Sequence, residues 1–212
     1  RIIQDMGAIP GIKVDAGAKP LAGCPGETIT EGLDGLRERL IEYYALGARF
    51  AKWRAVIDIG TGIPSYTALH QNAQALARYA ALCQEQNIVP IVEPEVLMDG
   101  AHDIARCEEV TEFMLKETFQ ELYYARVKLE GMVLKPNMII AGKKSPRQAS
   151  VEQVAERTVA VLKRCVPSAV PGIAFLSGGQ SDEDATAHLN AMNAAYPSLP
   201  WALTFSYGRA LQ

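Results

Sequence analysis

Glu130-Gly131-Met132-Val133-Leu134-Lys135-Pro136-Asn137-Met138 is a short apolar run that ends on a lysine placed directly before a proline. A run of this length, bounded by Gly131 and Pro136, predicts a strand covered on both faces. Pro136 biases Lys135 towards extended geometry and contributes no N–H. An amine at such a position either reaches water at a strand end or is held dry for chemistry. The neighbouring segments decide between these readings, and they decide the fold as well.

Residues 8–14, 48–57, 89–93, 172–176 and 202–207 share the character of 132–138: short, mostly apolar, and bounded by Gly, Pro or charge. Helical patterns alternate with them. Leu33, Leu36, Leu40 and Tyr44 recur at helical spacing behind a possible capping box, Thr28-x-x-Glu31. Residues 66–86 run to Asn87, a tolerated left-handed stop, and residues 103–125 form a third helix. Ser150-x-x-Gln153 opens a fourth, and Ser181-Asp182-Glu183-Asp184 a fifth, whose acidic first turn suits the helix dipole. Residues 142–149 are the most loop-like. Strand–helix repetition implies parallel strands joined by right-handed crossovers. Six such units fit an open doubly wound sheet or part of a closed eight-stranded barrel. The sequence lacks G-x-G-x-x-G and a P-loop, which favours an α/β (β/α)8 TIM barrel with about six of its eight units in this chain. With no linker or low-complexity tract, residues 1–212 are expected to form one partial barrel domain.

The chain has 212 residues, 49% apolar and 21% charged, with a net charge of −3. That balance gives no basic field for nucleic acid or an anionic membrane surface. No apolar run approaches the roughly 18 residues of a membrane span. Cys24, Cys83, Cys107 and Cys165 are far apart, without a C-x-x-C pair, so neither a zinc site nor a disulfide framework is expected. Cys83, Cys107 and Cys165 fall on helix-like stretches and read as small buried thiols. These features point to a cytoplasmic protein. The chain starts on Arg1 and stops just after an apolar run, so both ends are expected to be cut rather than natural.

In either architecture chemistry belongs at the C-terminal ends of the strands. Lys13 ends the first run, and Lys52 and Arg54 alternate on the second, facing one side. Glu93 and Glu95 flank Pro94, Lys135 and Asn137 share a face, and Ser177-Gly178-Gly179 and Tyr207-Gly208-Arg209 follow the last two runs. Taken singly, each is what a strand end shows where the chain meets water, and Lys52 could snorkel along the barrel wall. Together they put a charge or an anion-friendly loop at nearly every strand end, converging on one mouth. A Gly-rich loop beside an arginine fork makes a phosphate cradle. Crowding and desolvation disfavour an ammonium, and a neutral amine can add to a carbonyl to form a Schiff base, with a carboxylate shuttling protons. Metal-dependent carbonyl chemistry would need clustered histidines; His70, His102 and His188 are expected to be isolated, so neither a metal nor a cofactor is expected.

The blocks "GIKVD", "GETITEGLDGL", "FAKWR", "ARYAALCQ", "IVPIVEPEVL", "LEGMVLKPNM", "FLSGGQS" and "PWALTFSYGRALQ", in that order, make the chain resemble the class I, Schiff-base fructose-1,6-bisphosphate aldolases over essentially its whole length. The resemblance implies a cytoplasmic (β/α)8 barrel, commonly a homotetramer, acting on a sugar phosphate in glycolysis and gluconeogenesis. Lys135 matches the Schiff-base lysine and Glu93 the general acid/base, with Glu95 and Lys52 as charged partners around the imine. Lys13 matches a further active-site lysine, Ser177, Gly178, Gly179 and Arg209 the phosphate group of the ketone half, and Arg54 the other phosphate. Val133 and Ala16 stand where the family usually has Leu and often has Lys. The family also carries two further strands before this region, one bearing an essential Asp, and a C-terminal helix and tail after it.

The alternatives are an inactive piece whose role is binding or assembly, and another Schiff-base sugar-phosphate aldolase with different residues around the lysine. A six-stranded parallel sheet with open edges is aggregation-prone. Residues 1–212 alone are therefore expected not to fold stably, and a cooperative thermal melt of the isolated polypeptide would overturn this.

Overall fold

The computed structural model describes residues 2–208. After a four-residue helix α1 (Ile2–Asp5), strand β1 (Gly11–Lys13) leads into an antiparallel hairpin of β2 (Gly17–Pro20) and β3 (Thr28–Glu31). Helix α2 (Leu36–Ala45) and strand β4 (Phe50–Ile57) follow, then α3 (Tyr66–Glu85), β5 (Val89–Val96) and α4 (Ile104–Tyr124). The chain closes with β6 (Val133–Leu134), α5 (Val151–Cys165), β7 (Gly172–Phe175), α6 (Asp182–Ala195) and β8 (Ala202–Phe205).

Six strands form one parallel sheet in the order β1-β4-β5-β6-β7-β8. This order decides between the two architectures left open by the sequence. A doubly wound sheet reverses its strand order partway, whereas here each new strand adds on the same side of the last. Right-handed crossovers then put every helix on one face and curl the sheet as a barrel does. The burial of β4 agrees: Ala51, Trp53, Ala55 and Ile57 are buried beneath the helices, while Phe50, Lys52, Arg54 and Val56 on the inner face are only half-buried. Among the described residues β1 and β8 are the edges of the sheet.

Most helices begin where capping chemistry puts them. Ser65, Asp103, Ser150 and Ser181 each accept a backbone N–H of the first turn, and Ser150 with Gln153 completes the expected capping box. Asn87 takes φ 55° just beyond α3, as its position predicts. The other expected capping box is corrected. Thr28–Glu31 is a strand, and α2 starts at Leu36 behind Gly35, with no side-chain cap. Two β-branched threonines around Ile29 suit an extended chain, and tertiary bonds hold it there. Thr30 Oγ1 donates to Arg54 O at 2.7 Å, Thr28 Oγ1 donates to Val56 O at 3.2 Å, and buried Asn72 of α3 binds both Thr28 O and Thr30 N. The hairpin is thereby fastened to the end of β4 nearest the polar residues. The strand expected at 132–138 pairs as a ladder only at Val133 and Leu134. Beyond them Lys135 N donates to Val92 O, and Pro136 O accepts from Leu176 N.

The three cysteines read as buried thiols are free and buried on α3, α4 and α5. Burial pushes Cys83 up to about 12 and Cys107 and Cys165 up to about 11, which leaves them protonated and inert at neutral pH.

The α3–sheet junction rests on Tyr79, whose ring stacks on Trp53 at 5.6 Å. Its hydroxyl lies 2.6 Å from Ala51 O on β4 and 3.2 Å from Ile91 O on β5, in the fully buried layer. Tyr79→Phe removes a donor and leaves buried carbonyl groups short of a partner. It should lower the unfolding free energy of the full-length protein by about 1–3 kcal/mol, read from urea denaturation, with the sheet otherwise unchanged.

Candidate active site

The inner face at the C-terminal ends of the strands gathers the polar residues, and strand register sets where they meet. β4 and β5 pair with Arg54 opposite Glu93 and Lys52 opposite Ile91, so Lys52 lies one inward position before Glu93 and its long stem reaches forward. Lys52 Nζ lies 2.8 Å from Glu93 Oε2. Lys135, delivered from the next strand, places Nζ 3.1 Å from Glu93 Oε1. One carboxylate, 3% exposed, is thus shared by two ammonium groups, and Lys135 itself is only 8% exposed. Of the two readings of a lysine before Pro136, the structure gives the dry one.

A second group lies alongside. Arg54 Nε donates to Glu95 Oε2, and this bond above all holds the guanidinium further above its ordinary value. The loop after β7 closes over the same carboxylate: a Cβ on Gly178 would stand 2.8 Å from Glu95 Oε1, so only glycine fits without displacing it. Gly179 has φ 81°, and a Cβ there would meet the Met98 side chain at 2.5 Å. Gln180 N donates to Ser177 O, closing the turn.

Lys13 reaches neither group. Its ammonium lies 2.6 Å from Asp15 Oδ1 and 3.0 Å from Asp15 O. Asp15 is the residue that sequence reasoning passed over: its buried carboxylate also accepts from Gly17 N at 3.0 Å and from Arg54 N at 3.4 Å, linking Lys13 to the Arg54–Glu95 pair. A charged residue just past a strand end was the signal available, the same one that singled out Lys13. Asn137 does not share a face with Lys135. Its Oδ1 accepts from Val96 N at 3.0 Å and its Nδ2 donates to Thr111 Oγ1 of α4 at 3.0 Å, away from Glu93 and towards the helix layer. The ladder ends at Leu134, so the strict alternation that the expectation assumed has lapsed by Asn137. Tyr207 donates from its hydroxyl to Ala185 O at 2.9 Å, and Arg209 lies outside the described residues.

Of the three histidines, only His70 departs from the expectation that they are isolated. His188 Nδ1 contacts Gln180 Oε1 at 2.6 Å and braces the loop after β7. The half-buried His102 accepts from Gly142 N at its backbone carbonyl, while neither ring nitrogen has a hydrogen-bond partner among the described residues. His70 is not isolated: Glu117 and Glu121 converge on it.

A sequential parallel sheet curled as a barrel, with lysines and carboxylates paired at its C-terminal mouth, defines an α/β-barrel protein with a lysine-centred polar site. Comparison with known proteins carries this to a family. A family model described as "Glycolytic: Fructose-bisphosphate aldolase class-I" matches residues 1–212. A probable fructose-bisphosphate aldolase class 1 of Xanthomonas campestris pv. campestris is 65% identical over all 212 residues, which cover 63% of that protein. The cytosolic fructose-bisphosphate aldolase 6 of Arabidopsis thaliana is 56% identical over 211 residues, 59% of its length. The fructose-bisphosphate aldolase of Plasmodium falciparum, solved in complex with TRAP and a small-molecule inhibitor, superposes with a TM-score of 0.96 at 51% identity, covering 100% of this chain and 61% of that one. The chain belongs to the class I fructose-bisphosphate aldolase family, and its six-stranded sheet is part of that (β/α)8 barrel. It spans about three fifths of the length of these relatives.

The brace on the Gly178 loop carries a pH signature. Burial pulls His188 below its ordinary value, so the folded state takes up its proton later than the unfolded chain does. Stability from this site is constant above about pH 6.5 and falls as pH drops below it, because only the unfolded chain then binds the proton readily. His188→Gln should flatten the slope of stability against pH below about pH 6.5, measured by urea unfolding of the full-length protein.

Proposed function

We propose that the protein is a cytoplasmic class I fructose-bisphosphate aldolase, cleaving fructose 1,6-bisphosphate reversibly to dihydroxyacetone phosphate and glyceraldehyde 3-phosphate through a Schiff base on Lys135. The observation that carries this reading is the sharing of Glu93 between Lys135 and Lys52 in a nearly dry site. An amine must be neutral to attack a ketone, and the carboxylate 3.1 Å away is placed to take its proton. Protonated Glu93 then gives that proton to the departing hydroxyl of the carbinolamine, and water leaves as the iminium forms. Lys52 balances the charge on Glu93 throughout.

The iminium acts as an electron sink. A carboxylate takes the C4 hydroxyl proton as the C3–C4 bond breaks, its electrons passing into the enamine and the aldehyde product departing. Protonation of the enamine at C3 and hydrolysis then return the ketone product and the free amine. Arg54 and Lys13 would receive the phosphate of the aldehyde half, and Ser177, Gly178 and Gly179, with Arg209, that of the ketone half. Glu95, held by Arg54 against the Gly178 backbone, sits between these two groups.

Assembly as a homotetramer belongs to the same proposal. Phe113, Tyr123 and Tyr124 expose large apolar side chains on α4, and exposed apolar area of that kind favours burial against another chain.

Borohydride reduction of the full-length protein with dihydroxyacetone phosphate should trap the label on Lys135. An adduct on another lysine, or none, would sink the assignment. Lys135→Arg should abolish both trapping and cleavage. Glu93→Gln should fold, bind, and lose roughly 10²–10⁴ in kcat, the scale of a lost general acid/base.

A further inference from the structure

The outer surface carries a donor set that the proposed chemistry does not use. His70 lies in the second turn of α3, while Glu117 and Glu121 stand one turn apart on α4. His70 Nδ1 lies 2.6 Å from Glu117 Oε1 and 3.6 Å from Glu121 Oε1, and one ligand atom from each residue falls within 4.8 Å of the others. We propose that His70, Glu117 and Glu121 form a site for a borderline divalent transition cation of the Zn²⁺ type, which staples α3 to α4.

Three observations converge on this. First, two carboxylates at i and i+4 repel on a helix, and both are largely buried, with side chains 16% and 13% exposed. Among the described residues neither pairs with a lysine or arginine. A single imidazole cannot neutralise two such groups, whereas one divalent ion does. Second, the imidazole is already oriented. Tyr66 stacks on it at 5.4 Å and 17°, and donates from its hydroxyl to Glu117 Oε1 at 3.3 Å, tying the ring and one carboxylate together. Such outer partners fix ligand orientation in metal sites. Third, the spacing is close to what the ion needs. Metal–ligand bonds of about 2.1 Å put tetrahedral donors roughly 3.4 Å apart. The His70–Glu121 separation of 3.6 Å is already near that value. The His70–Glu117 contact is a hydrogen bond, which the ion would replace by displacing its proton and opening the pair slightly. One nitrogen and two carboxylate oxygens select Zn²⁺, Co²⁺ or Ni²⁺ over the all-oxygen cations Mg²⁺ and Ca²⁺. Water would complete the coordination at this half-exposed position.

The role is mechanical. α3 packs on β4 and β5, and α4 packs on α3 and β5. A link between the two helices would therefore steady the strands that carry Lys52 and Glu93 without touching them.

The test is calorimetric titration of the metal-stripped, full-length protein with Zn²⁺, with Co²⁺ absorption as a second readout. His70→Gln and Glu121→Gln should each weaken one binding event at least about 10-fold, lose the tetrahedral Co²⁺ band, and abolish the Zn²⁺-induced rise in melting temperature. Both variants should keep wild-type activity, which separates this proposal from that for Lys135. Zn²⁺ binding of equal affinity in wild type and both variants would overturn it, as would no saturable binding in the wild type. If His70→Gln fails to fold, Glu121→Gln decides alone.

Discussion

A single carboxylate, that of Glu93, stands between the ammonium groups of Lys52 and Lys135. Three charges in a nearly dry place are costly unless each is paired, so every one of their positions is constrained by the other two. Lys52 comes from β4, Glu93 from β5 and Lys135 from the end of β6, and the three meet only if those strands are neighbours in that order and in register. The register is fixed on the opposite face, where Trp53, Ala51 and Ala55 of β4 are buried under α3 and Tyr79 caps carbonyls of β4 and β5. A slip by one residue would send Lys52 and Arg54 into the helix layer and Trp53 into the mouth. The hydrophobic layer therefore decides where the charges stand.

Much of this was legible in the sequence because a buried parallel strand has few ways to look. Runs such as Phe50–Ile57 and Val89–Val96 are apolar apart from the residues at their inner C-terminal positions, and those exceptions are Lys52, Arg54, Glu93 and Glu95. What stayed hidden depended on contacts remote along the chain. Thr28–Glu31 satisfies the pattern of a capping box and that of a strand equally well; the bonds to Arg54 O and Asn72 settle the matter, and neither is visible locally. Asp15 looks like any acid beyond a strand end until its oxygens are seen holding Lys13, Gly17 and Arg54. Asn137 was misplaced because alternation was carried past the point where the ladder stops. His70 seemed isolated because Glu117 is 47 residues away, on a different helix.

The loop after β7 shows how a backbone feature completes a site that side chains only begin. Glu95 is fixed on one side by Arg54 and on the other by a backbone that approaches too closely for any Cβ at Gly178. The left-handed Gly179 then turns the chain back over Met98, and Ser181 starts α6 with its hydroxyl on Asp184 N. Backbone N–H groups of such a turn, leading into a helix N-terminus, are suited to an anion. Acidic Asp182, Glu183 and Asp184 occupy the first turn of that helix, where they favour the dipole. An anionic ligand would therefore be met by the turn and by basic side chains from other strands rather than by the helix end alone.

The charge balance of the mouth supports the same division of labour. Lys13, Lys52, Arg54 and Lys135 face Asp15, Glu93 and Glu95, four cations against three carboxylates, on a chain whose net charge is −3. Each carboxylate is already engaged by a cation on its own or a neighbouring strand, so none is free to repel an incoming phosphate. Glu93, with a lysine on each oxygen, is the one that can take a proton from either side without being left unpaired. Local excess of positive charge in a concave, half-dry surface concentrates anions far more than the overall charge would suggest. On the reading proposed above, a substrate with a phosphate at each end would be held by the outlying cations, while the reacting carbon would fall to the pair that Glu93 holds in the middle. On the proposed reading, this is why binding and proton transfer are assigned to different residues along the same rim.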